Sequence, residues 1–265
     1  MSRNFELLQQ AGLELPGGGT AGVEIPFGGR ARVTASTRAK DRAHVASLRP
    51  ADLDRAAREE TLRLVQSVFL LHGESDGESG RVVVFAAVDA RSGCSRVCSQ
   101  AAQILAESVP GSVCLVDANF RQPALAAAFG TTNHYGLSDA LRSPDPIRRF
   151  ARKVHGENLW LVSCGSGTDQ SVGLLQSDLV KKRIAELRKE FNYVLLDTPA
   201  LNAYSEGVAL GQFADGLVLV LEANSTRRDA TARITERLHS MQVNILGAVL
   251  NKRRFPIPDS LYRRL

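Results

Sequence analysis

The chain lacks any stretch of about 18 apolar residues, the length that crosses a bilayer as a helix. The residues from Met1 to Gly12 are too polar for a secretory signal. Together these absences point to the cytoplasm, with any membrane contact made at its inner face through a partner. Paired Cys-x-x-Cys spacing is missing too, so Cys94, Cys98, Cys114 and Cys164 read as free thiols in a reducing compartment rather than as metal ligands. A block of one charge is absent from the body of the chain. The net charge of +5 sits at the ends: residues 1–50 hold seven Lys/Arg against four Asp/Glu, residues 252–265 hold five against one, and the remainder is net −2. This argues against a basic nucleic-acid groove. It reads as solvated tails, with a tail contact to acidic lipid or protein as the alternative.

What is present is enough for a large core. At 265 residues and 44% hydrophobic content, the chain fits one large α/β domain with an appendage. The appendage is residues 1–50: Pro16-Gly17-Gly18-Gly19, Pro26 and Gly28-Gly29 break up a segment poor in large apolar residues, and it reads as a flexible extension. Phe5, Leu7, Leu8 and Ala11 allow a short amphipathic helix at its start. From residue 51 to 265 the pattern is that of a folded domain. Leu53, Ala56, Ala57, Leu62, Val65, Val68 and Phe69 recur at helical spacing. Apolar, β-branched runs then begin at Val82, Val113, Leu159, Tyr193, Leu217 and Ile245, with helical stretches expected over 95–107, 173–190, 205–212 and 227–241. Runs apolar throughout imply strands buried on both faces. Their alternation with helices predicts a doubly wound, mostly parallel sheet in three layers.

Such sheets bind ligands beyond the carboxyl ends of their strands. After the first run comes Ala90-Arg91-Ser92-Gly93-Cys94-Ser95, leading into an Ala-rich helix. This is the place of a phosphate loop, where Gly93 permits close backbone approach, helix-terminal N–H groups face an anion, and Ser95 is placed for magnesium. The second run ends in Asp117-Ala118-Asn119-Phe120-Arg121, and the fourth in Asp197-Thr198-Pro199. Each places a carboxylate at a strand tip, where one can hold metal-bound water.

On these residues the sequence resembles, over 59–262, the bacterial tyrosine kinases of the CpsD/CapB type, cytoplasmic relatives of the MinD/ParA P-loop ATPases. The family's Pro-Gly-Glu-Gly-Lys-Ser falls on Ala90 to Ser95, its Asp-x-Asp-x-Arg on Asp117, Asn119 and Arg121, and its Asp-Thr-Pro-Pro on Asp197 to Ala200. Gly136 to Leu141, Ser225 to Ala230 and Leu246 to Asn251 match as well. The resemblance implies a P-loop NTPase fold, ATP and Mg²⁺ as cofactors, and catalytic roles for Asp117 and Asp197. Ser95, Asp117 and Asp197 would hold the metal, and Gly93, Cys94, Ser95, Asn119 and Arg121 would line the nucleotide site. It further implies a membrane adaptor, or polysaccharide chain-length regulator, as partner in capsule or exopolysaccharide assembly, and a homo-oligomer. Nucleic acid is not an expected partner.

The departures bear on activity. Cys94 stands where the family's lysine reaches the β and γ phosphates, and a thiolate there would repel them. Arg91 replaces a loop glycine, so a Cβ is expected to obstruct the tight turn, and Asn119 lacks the charge of the family's second aspartate. The family's terminal tyrosine cluster is reduced to Tyr262, the best acceptor among the four tyrosines. In the family's Glu-x-x-Arg-x-x-Arg oligomerisation helix, Glu60 and Arg63 fit with the last arginine missing. Shifted by three residues, Arg63 becomes that last arginine and leaves Ala57 and Glu60 in the other two places, so the motif is incomplete either way; an ordinary surface pair is the alternative. The expected function is therefore a tyrosine-kinase-like regulatory protein with weak or absent ATP binding, a pseudokinase. The alternatives are an active autokinase with an altered loop, or a MinD/ParA-like positioning ATPase.

Overall fold

Val82, Val84 and Ala86 of strand β1 (Arg81–Ala87) face one hydrophobic core, and Val83, Phe85 and Ala87 face another. A strand buried on both sides needs a helical layer over each, which is why its sequence is apolar throughout instead of alternating. The same division holds in β2 (Val113–Asp117), β4 (Leu159–Val162), β5 (Tyr193–Thr198) and β6 (Gly216–Glu222). This computed structural model describes residues 55–70, 80–166, 173 and 178–253. The expected N-terminal extension, its short helix and Tyr262 lie outside them.

Strands β3 (Ala151–His155) and β7 (Ile245–Asn251) complete a seven-stranded sheet in the order β3-β4-β2-β5-β1-β6-β7. All neighbours run parallel except β3 and β4. One face is covered by α1 (Arg55–Val65), which continues as a π turn over Gln66–Leu70, and by α2 (Cys94–Ser108). Val65, Val68, Val97, Cys98, Ala101 and Leu105 are their buried contributions. After the short helices α3 (Leu125–Ala128) and α4 (Leu137–Ala140), the other face is covered by α5 (Asp178–Glu190), α6 (Glu206–Gly211) and α7 (Arg228–Ser240). These insert Val180, Ile184 and Leu187, then Val208 and Leu210, then Ala230, Ile234 and Leu238. The doubly wound, three-layer α/β architecture is the one the strand and helix pattern predicts.

Two features differ from the expectation. β3 was not foreseen, because in Ala-Arg-Lys-Val-His only Ala151 and Val154 are partly buried while the other three residues are exposed. The Gly136–Leu141 motif forms α4, where the Asp139 carboxylate accepts the Gly136 N–H at 2.9 Å and closes the first turn. For function the decisive placement is that of β1, β5 and β2 side by side. Their carboxyl ends bring Val88–Gly93, Pro199–Ser205 and Ala118–Ala124 to one end of the sheet.

Candidate functional site

The loop from β1 into α2 turns through two left-handed residues. Arg91 and Gly93 both take left-handed backbone angles, with φ of 68° and 84°. At Gly93 this form needs glycine twice over: a Cβ would stand 2.5 Å from Asn251 Nδ2 as well as being strained by the angle. At Arg91 the sequence supplies no glycine, and the Cβ expected to obstruct the turn is accommodated. The turn forms with an exposed arginine in the left-handed region, a conformation that costs about 1 kcal/mol. Fasteners hold it. Asn251 Nδ2 donates to the Ser92 carbonyl at 2.8 Å, and Lys252 Nζ donates to the Arg91 carbonyl at 2.6 Å. Ser92 Oγ donates to the Asp89 carbonyl within the loop at 2.8 Å. Asn202 Nδ2, from the loop after β5, donates to Asp89 Oδ1 at 2.6 Å.

Replacing Asn251 by alanine removes one neutral hydrogen bond and the contact over Gly93. It is expected to lower stability by about 1 kcal/mol, or about 2–4 °C in Tm for a domain of this size. Thermal unfolding of the variant checks this, and an unchanged Tm would mean the tether carries no energy.

Cys94 buries its sulfur. It is the first residue of α2 and is buried, with its thiol beside Asp197 and the backbone of Ala87 and Thr198. Burial raises its pKa well above the ordinary thiol value, and the neighbouring Asp197 carboxylate pushes it further the same way. Cys98, one turn on, is raised by the same causes. The expected phosphate-repelling thiolate is therefore corrected: the group is a neutral thiol packed beneath the loop. Set against the lysine of the resembled motif, Cys94 offers no cation and adds no anion.

Asp117 and Asp197 end adjacent strands and are paired in register. Both are fully buried. Asp117 accepts from three backbone N–H groups, Oδ1 from Asn119 at 3.2 Å and Oδ2 from Ala124 and Leu125 at 3.1 Å each, and so shapes the loop after β2. Asp197 has no hydrogen-bond partner on either oxygen. The Ser95 and Cys94 side chains lie close to it and lower its pKa from where burial alone would put it. Burial raises both carboxyl pKa values, and for Asp117 the Asp197 charge adds to the rise. Two bare acceptors at the tip of β5, next to Ser95, match what metal-bound water requires. No three His, Cys, Asp or Glu side chains among the described residues stand close enough to hold a metal ion by themselves. A cation here would need oxygens from its own ligand.

The rim is occupied by contacts within the protein. Arg121 bonds the buried Glu206 carboxylate through Nε and Nη2 at 3.2 Å, and its guanidinium lies 4.7 Å from the centre of the Tyr204 ring. Asn119 Oδ1 accepts the Gln122 N–H at 3.1 Å, which commits it to a turn. Glu60 and Arg63 form an exposed pair on α1 at 2.9 Å, away from this end of the sheet, and Gln66 opens the π turn. Tyr193 is partly buried, edge-on to Phe69. Sequence reasoning thus named the residues of the cradle and the carboxylates. It missed Asp89, Asn202, Glu206 and Lys252, and it gave Asn251 no role; the pattern Leu246 to Asn251 at the end of β7 was the one available signal.

No protein-family model matches the chain. It is 28% identical over 142 residues to the tyrosine-protein kinase YwqD of Bacillus subtilis (strain 168), covering 54% of this chain and 60% of that one. It is 24% identical over 177 residues to the tyrosine-protein kinase CpsD of Streptococcus agalactiae, covering 66% and 77%. The chain is a relative of bacterial tyrosine-protein kinases. The kinase domain of the Escherichia coli tyrosine kinase ETK shares the fold, with a TM-score of 0.69 and 24% identity, covering 79% of this chain and 80% of that one. The chain therefore spans less than two thirds of the YwqD kinase. Relative to these tyrosine kinases, the resemblance read from the phosphate loop and the two strand-end motifs is correct.

Proposed function

We propose that the chain is a tyrosine-kinase-like regulatory protein of exopolysaccharide or capsule assembly, a pseudokinase that binds ATP·Mg weakly and transfers little phosphate. The single observation that supports this is the placement of Cys94. Where a P-loop kinase extends an ammonium toward the β and γ phosphates, this chain has a neutral thiol packed against Asp197. Arg121 does not make up the deficit, since its charge is committed to Glu206. By the same reading, the partner is a membrane adaptor or chain-length regulator, the chain works at the cytoplasmic face of the membrane, and it assembles with copies of itself.

If nucleotide entered, the α2 N-terminus and the left-handed loop would receive its phosphates, and Ser95, Asp117 and Asp197 would hold Mg²⁺, which would supply charge neutralisation. Asp197 is the residue placed to orient a proton-bearing group at the tip of β5, and Asp117 fixes the loop beside it. The preserved cradle and the bare Asp197 favour a second reading, an autokinase working with an altered loop.

Calorimetric titration with ATP·Mg separates the two. Weak binding, with a Kd of about 1 mM or above, is expected. A Kd of about 10 μM or tighter would overturn the pseudokinase reading, because the site would then gain about 7 kcal/mol from nucleotide without its lysine.

A further inference from the structure

Strand β3 forms one outer edge of the sheet and is the least apolar of the seven. Residues 142–157 hold five Lys/Arg against two Asp/Glu, within a body that is net −2 between the two basic ends. The charge missing from the linear average is concentrated at this edge. Register places it on both faces: Lys153 lies opposite Trp160 on the α5 side, and Arg152 lies opposite Leu161 on the α2 side. Arg152 donates to the Thr132 hydroxyl at 3.0 Å, and the Arg148 guanidinium lies over the rings of Trp160 and Phe191, at 3.9 and 4.8 Å. These contacts orient the cations without neutralising them. Arg149–Asp145 and Lys153–Glu157 are exposed ion pairs, a kind that holds little energy and opens readily.

We propose that the β3 edge docks onto an anionic lipid surface. Two adjacent cations on an edge strand, Arg152 and Lys153, oppose addition of another strand, so a peptide pairing with β3 is the poorer fit. Cations splayed from both faces of an edge can instead reach one plane lying across it, with their aliphatic stems along the sheet and charged heads outward. Such a contact is peripheral. No helix among the described residues is long and apolar enough to cross a membrane. Attraction to anionic headgroups is short-ranged, and each Lys/Arg near the surface strengthens partitioning about fivefold. This surface is separate from the nucleotide site, and nucleotide titration does not test it.

The test uses the full chain in co-sedimentation with phosphatidylcholine vesicles, with and without phosphatidylserine, at physiological ionic strength. Binding to the anionic vesicles alone is expected. Arg152→Gln with Lys153→Gln weakens it about 25-fold, while Arg152→Lys with Lys153→Arg keeps it. Arg233→Gln with Arg237→Gln, which removes the same charge from the exposed side of α7, leaves it unchanged. All variants change exposed side chains, and their melts are compared with the parent. The proposal is overturned if the parent does not sediment with anionic vesicles or binds neutral ones equally. It is also overturned if the β3 and α7 pairs lose equally, or if the β3 pair loses nothing and the chain's basic ends carry the binding.

Discussion

Replacing Cys94 by lysine and Arg91 by glycine in one chain is expected to raise ATP affinity about 100-fold, a gain of about 2.8 kcal/mol. The expectation rests on how much of the cradle is already built. Gly93 is in its left-handed conformation, α2 begins beneath the loop, and Asp197 stands bare beside Ser95. What is missing is the cation. A lysine at position 94 starts next to the unpartnered Asp197 carboxylate, which would hold its ammonium until phosphates arrive. Glycine at 91 removes the strain of a left-handed arginine and lets the backbone approach the anion without a Cβ. The two changes serve one ligand, so each alone should give less than half the combined gain in free energy. Asn119 stays as it is, and transfer to tyrosine should recover less than binding. Isothermal titration of the two single variants and the double variant checks the series. A double variant that folds yet binds nothing at millimolar ATP would show that the defect extends beyond the loop.

Asp197→Asn should make the ligand-free protein more stable, by about 2 kcal/mol at pH 8, while abolishing any Mg²⁺-dependent turnover. The carboxylate is fully buried with no donor on either oxygen and faces Asp117 across the strand pair. Its folded pKa is raised, so folding favours the protonated form. The sign follows by linkage. Below the ordinary carboxylate range both folded and unfolded chains carry the proton and no penalty exists; as pH rises toward the folded value, the native state loses stability relative to the unfolded one. The asparagine variant should therefore melt about 4–8 °C higher at pH 8 and only slightly higher at pH 4. Its amide can also donate toward Asp117. Melting curves at the two pH values decide it. A variant that melts lower, or a gain independent of pH, would mean that the buried charge is compensated by something other than the described side chains.

Most of the fold was legible because the central strands have no choice of face. Val82 to Ala87 and Tyr193 to Leu196 are apolar at successive positions, and only burial on both sides satisfies that pattern. β3 was illegible for the opposite reason. An edge strand with charged side chains on both faces has neither an apolar run nor alternation, and its existence depends on pairing with β4. The candidate site was half legible. Strand-end position identified Asp117 and Asp197, since each directly follows its apolar run. The direction of the Cys94 side chain was not in the motif: a residue type at a loop position says what is missing, not where its replacement points. The fasteners on the loop were further out of reach. Asn251 and Lys252 are 159 and 161 residues from the carbonyls they hold, and they meet because β7 lies in the same sheet two places from β1, with β6 between them and all three parallel. Local charge was misjudged by averaging, since a near-neutral body conceals a basic edge at residues 142–157.

The tethering of the phosphate loop to β7 also bears on how such a chain can change over generations. Because Asn251 and Lys252 grip the loop through its carbonyls, these tethers do not involve the side chain at position 94. A small thiol can therefore stand at position 94, buried, while these tethers stay in place. Selection for a stable fold therefore does not protect the chemistry. A lineage whose partners recognise only the outer form of the domain can lose phosphate transfer while every surface they touch is inherited intact.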